Sequence, residues 1–476
     1  MWLPLQFHTQ NFILTLQANI LYLISSYMNE FFRRHLKGDP IIWMLYLILC
    51  FVSIVAVFSA SSDAISGSGK ATGLILKHIA FMAFGFGSLL VIYSLPMKLI
   101  KFFSFILLFF CIALLGYLLV AGSMYQGAAR SLGGLFQPSE FVKFALIVVV
   151  AFFIDEFRDE TFLNKFFYIF CLIVWITIGL IFPMNLSQAI IIFVPVLVML
   201  IVGAVPWKKI AFFVGIPILG ILLLTLIATA IPNNTDGGAA NFLNKFRFDT
   251  WQGRFRNHID IVDSWEKADN GAEKWKLIRN YDQVIYAKSA IYDGKIGVAP
   301  GNSVWRNRLQ EVSKDFIYAL IVEEYGLFLG GMGVIFLYLW LLWRGGVLIR
   351  KIDTVFQAVV IIGAVTLIVF QAFVHIAVNV GLLPVTGQTL PLISKGGTSI
   401  MVMGMLFGLI LGMSRKIEEK NGSLSEQVAP SNNTPTTITA KTPTPTPSII
   451  EEHQYSVQTD DITPLFEQIE TDKNDF

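Results

Sequence analysis

Charge is what this chain has little of. Asp, Glu, Lys and Arg make up 14% of its 476 residues, against about 25% in an ordinary soluble domain. With 55% hydrophobic residues, that deficit places the chain in the membrane class before any motif is read. Cysteine is scarce too. Cys50, Cys111 and Cys171 all lie inside apolar runs. The one long polar stretch holds none, so disulfides play no part there and the thiols read as packing residues. The net charge of +2 selects no partner, because the sign is sorted loop by loop. The first residues lack a basic start and a small-residue cleavage site, which argues against a signal peptide. Residues 11–27 are apolar but interrupted by Gln17 and Asn19, and a charged leader begins at Met28, which could itself be the start.

What is present is a series of apolar runs. A spanning helix needs about 20 mostly apolar residues. Ten segments qualify: 41–60, 73–95, 102–121, 139–155, 165–182, 188–205, 209–231, 316–342, 355–382 and 398–414. The expected fold is therefore an all-α polytopic membrane protein. Residues 1–40 form a leader, 41–414 the membrane domain and 415–476 a Thr/Pro-rich, acidic tail expected to be disordered. With the leader inside, the short outer loops carry only Lys70, Arg130 and Lys395, while every inner loop is rich in Lys and Arg. The positive-inside rule then puts both termini in the cytoplasm and the long polar stretch 232–315, between helices seven and eight, outside.

That stretch ends at Asp315, at the expected water-to-lipid boundary. Ionisable groups at membrane depth are functional hypotheses, and several gather near the outer helix ends. Gln137, Glu140 and Lys143 open the fourth helix, and Glu140 and Lys143, three apart, share a face. A structural salt bridge is the plainer reading of that pair. Glu323 lies near the Asp315 face of the eighth helix and Glu324 opposite it, where it could meet another helix. His375 and Asn379 share a face of the ninth, and a packed, hydrogen-bonded histidine explains them. The Gly/Pro-rich turn 381–399 reads as irregular and re-entrant. Such backbone survives at depth only where protein buries it or it lines a wet cavity. Its amides, with Ser394, Lys395 and Thr398, could cradle an anion.

Together these motifs resemble the SEDS proteins, the FtsW/RodA family, with the greater likeness to FtsW. The likeness runs from about Asp39 to Arg415. It is carried by GAAR (127–130), QPSEFVK (137–143), PMNLSQA (183–189), TWQGR (250–254), APGNSVWRNRLQEVSKDFIYALIVEEYG (299–326) and NVGLLPVTGQTLPLISKGGTS (379–399). The resemblance implies an inner-membrane peptidoglycan glycosyltransferase polymerising lipid II at the division septum. The family's essential aspartate matches Asp315, its outer-loop arginine Arg130 and its QPSE lysine Lys143. This chain departs from the pattern at Ala129, Ser187-Gln188, Gln310, Lys314 and Lys395. Lys314 replaces a small or hydroxyl residue beside the aspartate.

The implied reaction joins a GlcNAc 4-hydroxyl to a MurNAc anomeric carbon, with inversion and loss of undecaprenyl pyrophosphate. It needs one base, for which Asp315 is the candidate, and cations on the leaving group, for which Arg130 and Lys143 are the candidates. Arg247 and Arg254 are further candidates for substrate contact. No cofactor is implied. A divalent cation could sit on the diphosphate, though the sequence shows no ligand cluster. The implied partners are a class B penicillin-binding protein transpeptidase, other division proteins and membrane lipid, with no nucleic acid. Ten helices and buried charges fit a lipid II flippase equally well by composition, and a non-catalytic divisome scaffold is the other alternative.

Overall fold

The computed structural model describes residues 37–61, 70–121, 136–230, 253, 282–309 and 311–428. The chain divides into two compact units, Met1–Glu426 and Gln427–Phe476; only Gln427 and Val428 of the second are among the described residues. The first unit is a helical bundle. Its helices are α1 (Pro40–Ala60), α2 (Lys70–Ser94), α3 (Met97–Ala121), α4 (Pro138–Glu156), α5 (Glu160–Ile181), α6 (Leu186–Val202), α7 (Trp207–Ala230), α8 (Asp282–Asp293), α9 (Ile317–Tyr325), α10 (Gly333–Ile349), α11 (Val355–Asn379) and α12 (Gly397–Val428). Each expected segment is helical over most of its described residues. Among the described residues, seven stretches are long and apolar enough to cross a membrane, with α9 and α10 forming one of them. Helix α4 carries too many charges, and α6, at 17 residues, is too short, to meet that measure.

Local chemistry sets the helix starts. Asp39 caps α1 by accepting from the Ile41 and Ile42 amides, with Pro40 in the first turn, where its missing N–H costs nothing. Pro138 plays the same part in α4 behind Gln137. Asn185 caps α6 through the Gln188 amide.

Helix α11 is the hub of the bundle, packed against α4, α6, α9 and α10. It and α12 are the most enclosed of the spans. Against α2, α12 presents Gly404 and Gly408. A Cβ on Gly404 would overlap the Gly85 carbonyl oxygen, and one on Gly408 would stand 2.6 Å from the Leu89 carbonyl oxygen. Small residues four apart are what lets membrane helices approach this closely. At the far end from the α12 start, Arg344 of α10 forks onto both oxygens of Asp39 at 3.0 and 2.8 Å. The Asp39 amide donates to Ser414 of α12, so one buried aspartate ties α1, α10 and α12.

Two expectations are corrected. The eighth apolar segment is not one continuous helix. After Tyr325 the chain passes through Gly326, at φ +84°, into a π-helical turn, Gly326–Met332, before α10. The Glu323 and Glu324 carbonyls accept from the Val298 and Ala299 amides of the preceding loop, so the loop completes what the broken helix leaves open. The C-terminal helix also runs on to Val428, past the limit at 414, so residues 415–428 are helical rather than tail.

The α2–α12 contact is testable. Gly404→Ala inserts a methyl group where backbone already stands, and overpacking of this kind costs about 1–3 kcal/mol. Thermal unfolding in detergent should show a clear loss of stability, whereas Gly87→Ala, with open space around its Cβ position, should leave the melting temperature unchanged.

Candidate active site

A cavity of about 300 Å³ opens where α4, α6, α9 and α12 begin. Its lining includes Lys314 and Asp315 ahead of α9, Gln137 and Glu140 of α4, Asn185 of α6 and Phe81 of α2. Residues 387–389 and 395–399 complete it. Ligand pockets run from about 300 to 1,000 Å³, so this one suits a polar headgroup and not a whole lipid.

The segment between α11 and α12 has no regular structure, and its backbone is met by side chains from three helices. His375 Nδ1 donates to the Gln388 carbonyl at 2.7 Å. Gln371 Nε2 donates to that of Thr389 at 3.0 Å, Tyr338 Oη to Pro391 at 2.6 Å and Ser53 Oγ to Ile393 at 2.9 Å. The loop in turn holds the end of the outer segment. The Lys395 amide donates to the Ser313 carbonyl at 2.8 Å. Ser394 Oγ donates to Lys314 at 2.7 Å, and Asn379 Nδ2 to Asp315 at 3.0 Å. Three consecutive carbonyls are thus fixed immediately before α9. The Asn379 Oδ1 accepts the Ala319 amide in the first turn of that helix.

A second network lies behind the cavity. Lys143 is fully buried and donates to both oxygens of Glu140, at 2.9 and 3.1 Å, and to Gln371 Oε1 at 2.9 Å. Gln188 Nε2 donates to Glu140 at 2.7 Å, and Ser139 and Gln137 donate to Gln188. The expected role of Lys143 at the leaving group is corrected by this geometry: its ammonium is enclosed and faces Glu140 and Gln371, which makes it the structural pair that was the plainer reading.

Glu323 is corrected likewise. It is absent from the cavity lining. Its carboxylate accepts from Ser303 Oγ at 2.5 Å and from the Val304 and Trp305 amides, so it holds the outer segment down. Glu324 accepts from Ser59 of α1 and from the Gly301 amide, meeting another helix as expected. Gln137, Glu140, Asp315, Lys395 and Thr398 come together at the cavity, with Ser394 directly behind them. Arg130, Arg247 and Arg254 lie outside the described residues. Sequence reasoning missed Gln371, Gln188, Thr389 and Ser399. Gln371 had a signal, since it continues the His375–Asn379 face at the same spacing of four.

The cavity edge is cationic. Burial lowers the Lys395 pKa, and the neighbouring charges of Lys314 and Lys77 lower it further, against the pull of Glu311. Lys314 pairs with Glu311 at 2.7 Å. Among the described residues, no three His, Cys, Asp or Glu side chains converge as a metal site.

An all-helical membrane protein with a polar, carboxylate-bearing cavity under an irregular re-entrant loop is the class defined so far. The FtsW/RodA/SpoVE family, described as cell cycle protein, matches residues 39–419, and this chain belongs to it. A relative from Halomonas elongata, named probable peptidoglycan glycosyltransferase FtsW, is 29% identical over 81% of this chain and 93% of its own. The Bacillus subtilis stage V sporulation protein E is 26% identical over 79% and 97%. The Escherichia coli peptidoglycan glycosyltransferase MrdB is 27% identical over 79% and 93%. Thermus thermophilus RodA shares the fold at a TM-score of 0.52 and 19% identity, over 80% of this chain and 98% of that one. A structure entitled "Structural coordination of polymerization and crosslinking by a peptidoglycan synthase complex" does so at 0.56 and 20% identity, over 80% and 99%. The chain is a multi-pass protein of the bacterial membrane.

The Lys143–Glu140 pair gives the prediction for this site. Removing one partner of a buried ion pair costs about 3–5 kcal/mol. Lys143→Met should lower the melting temperature sharply, and adding Glu140→Gln should recover much of the loss. Full stability in Lys143→Met, with only substrate binding weakened, would return the ammonium to the list of ligand groups.

Proposed function

We propose that this protein is a peptidoglycan glycosyltransferase that polymerises lipid II at the division septum. The observation that carries this reading is the placing of Asp315: a carboxylate on the cavity wall, its backbone clamped, in a chain of this family. In the proposed step Asp315 accepts the proton of a GlcNAc 4-hydroxyl. The freed oxygen attacks the anomeric carbon of the donor's MurNAc from the face opposite the diphosphate. The C1–O bond breaks and its electron pair leaves with the diphosphate, so the configuration inverts. The leaving group departs as an anion and needs no proton, which fits a site with one active carboxylate. Glu140 lines the same cavity, but both its oxygens are held by Lys143.

A divalent cation, where the reaction uses one, would add positive charge at the diphosphate. Arg130, Arg247 and Arg254 remain in the proposal as outer-loop contacts to substrate. Both termini lie in the cytoplasm in this reading. The partner is a class B penicillin-binding protein transpeptidase, docking through the outer segment and the α9–α11 face. Other division proteins complete the assembly.

Purified protein should polymerise lipid II, with the cognate transpeptidase supplied. Loss of a general base typically costs about 10²–10⁴-fold, so Asp315→Ala should fall by that much while still binding the transpeptidase. Equal polymer from both proteins would sink the role of Asp315. Asn379→Ala frees the Asp315 carbonyl and the Ala319 amide without touching the cavity lining. It should lower kcat about tenfold or more at near-constant KM, because misplacing a reactive group by ~1 Å can cost on the order of 10²-fold.

A further inference from the structure

The geometry points to Lys314 and Lys395 as a two-pronged clamp for a polyprenyl-linked diphosphate, the leaving group of the reaction proposed above and dependent on that reading for its identity. Both lysines line the cavity that holds Asp315. They come from different elements, joined where the Lys395 amide donates to the Ser313 carbonyl. Lys314 adjoins Asp315 in the chain, so their Cα atoms are ~3.8 Å apart. A base on the acceptor oxygen and a cation on the departing oxygen must stand on either side of one anomeric carbon, and two adjacent residues can reach both.

Charge supports the assignment. Lys143, which pairs with the cavity-lining Glu140, is enclosed and matched to it. Lys395 instead feels the charges of Lys314 and Lys77; burial is the main cause of its lowered pKa, and their repulsion adds to it. Among the described residues Glu311 offsets them, through an ion pair with Lys314 in which both side chains are substantially exposed, 44% and 58%. Exposed pairs of that kind contribute little to stability, so Lys314 can exchange its partner for a stronger anion. Gly397, Thr398 and Ser399 line the same cavity at the start of α12. The first amides of a helix have no acceptor within it and favour negative charge. A diphosphate brings the charge that two lysines and a helix start are arranged to receive.

The test uses full-length protein carrying Asp315→Asn, so that binding is read without turnover, and farnesyl diphosphate as the probe. Hydrogen bonds to charged groups contribute about 1.5–3 kcal/mol, so Lys314→Met or Lys395→Met should each weaken binding about tenfold or more. Lys314→Arg with Lys395→Arg should keep affinity near the parent value, which separates lost charge from lost fold. Farnesol should not compete, and phosphatidylglycerol should compete poorly. Unchanged affinity in the double Met variant overturns the clamp, and so does equal competition by phosphatidylglycerol, which would mark a general anion site. The underlying reading fails separately. A protein that binds the diphosphate through both lysines but makes no polymer keeps the clamp and loses the polymerase. A double Met variant with parental kcat/KM in polymerisation does the reverse.

Discussion

The backbone between α11 and α12 must satisfy its hydrogen bonds without a helix to do so. In hydrocarbon an unmet N–H or C=O costs several kcal/mol, so irregular backbone at depth needs partners from elsewhere in the protein. Here His375, Gln371, Tyr338 and Ser53, from α11, α10 and α1, supply them. These polar side chains on otherwise apolar helices form the sockets of the loop. Leu392 shows how firmly they hold it. It is buried and sits at φ +62°, a left-handed conformation that costs a non-glycine residue on the order of 1–3 kcal/mol. The carbonyls on either side of it, those of Pro391 and Ile393, are pinned from α10 and α1.

The same loop fixes the chemistry. It grasps the carbonyls of Ser313 and Lys314 while Asn379, at the end of α11, holds that of Asp315, and this sets one wall of the cavity; α4 sets the other. Two carboxylates share that cavity with opposite fates. Glu140 is neutralised by a buried lysine and two layers of amide side chains. Asp315 is half-buried at the wall, beside cations that come from neighbouring elements. The difference lies in what surrounds each group, since the two side chains are chemically alike.

Much of this could be read in the sequence. Long apolar runs gave the helices, and Gly/Pro punctuation marked the re-entrant loop. Asp315, Gln137, Lys395 and Thr398 fell where the cavity forms. The failures have physical causes. Lys143 and Glu323 are charged residues at membrane depth, and sequence alone cannot tell a side chain facing a cavity from one facing its own counter-charge. Gln371 completes a polar face already visible in His375 and Asn379, yet an amide in an apolar helix carries little signal by itself. The break at Gly326 was hidden because its hydropathy is unbroken: Gly-Leu-Phe-Leu-Gly-Gly-Met reads as more of the same apolar run. Only the positive φ and the loop amides that fill the gap reveal it.

That gap gives the outer segment a second character. The carbonyls of Glu323 and Glu324 belong to a membrane helix, yet their hydrogen-bond donors are Val298 and Ala299. The segment before Asp315 is therefore part of the insulation of that helix, in the way a neighbouring turn would be. Removing residues 298 and 299 would strip two acceptors bare, so this last stretch of the segment is held from below, by the helix it completes, as well as from above by whatever it binds.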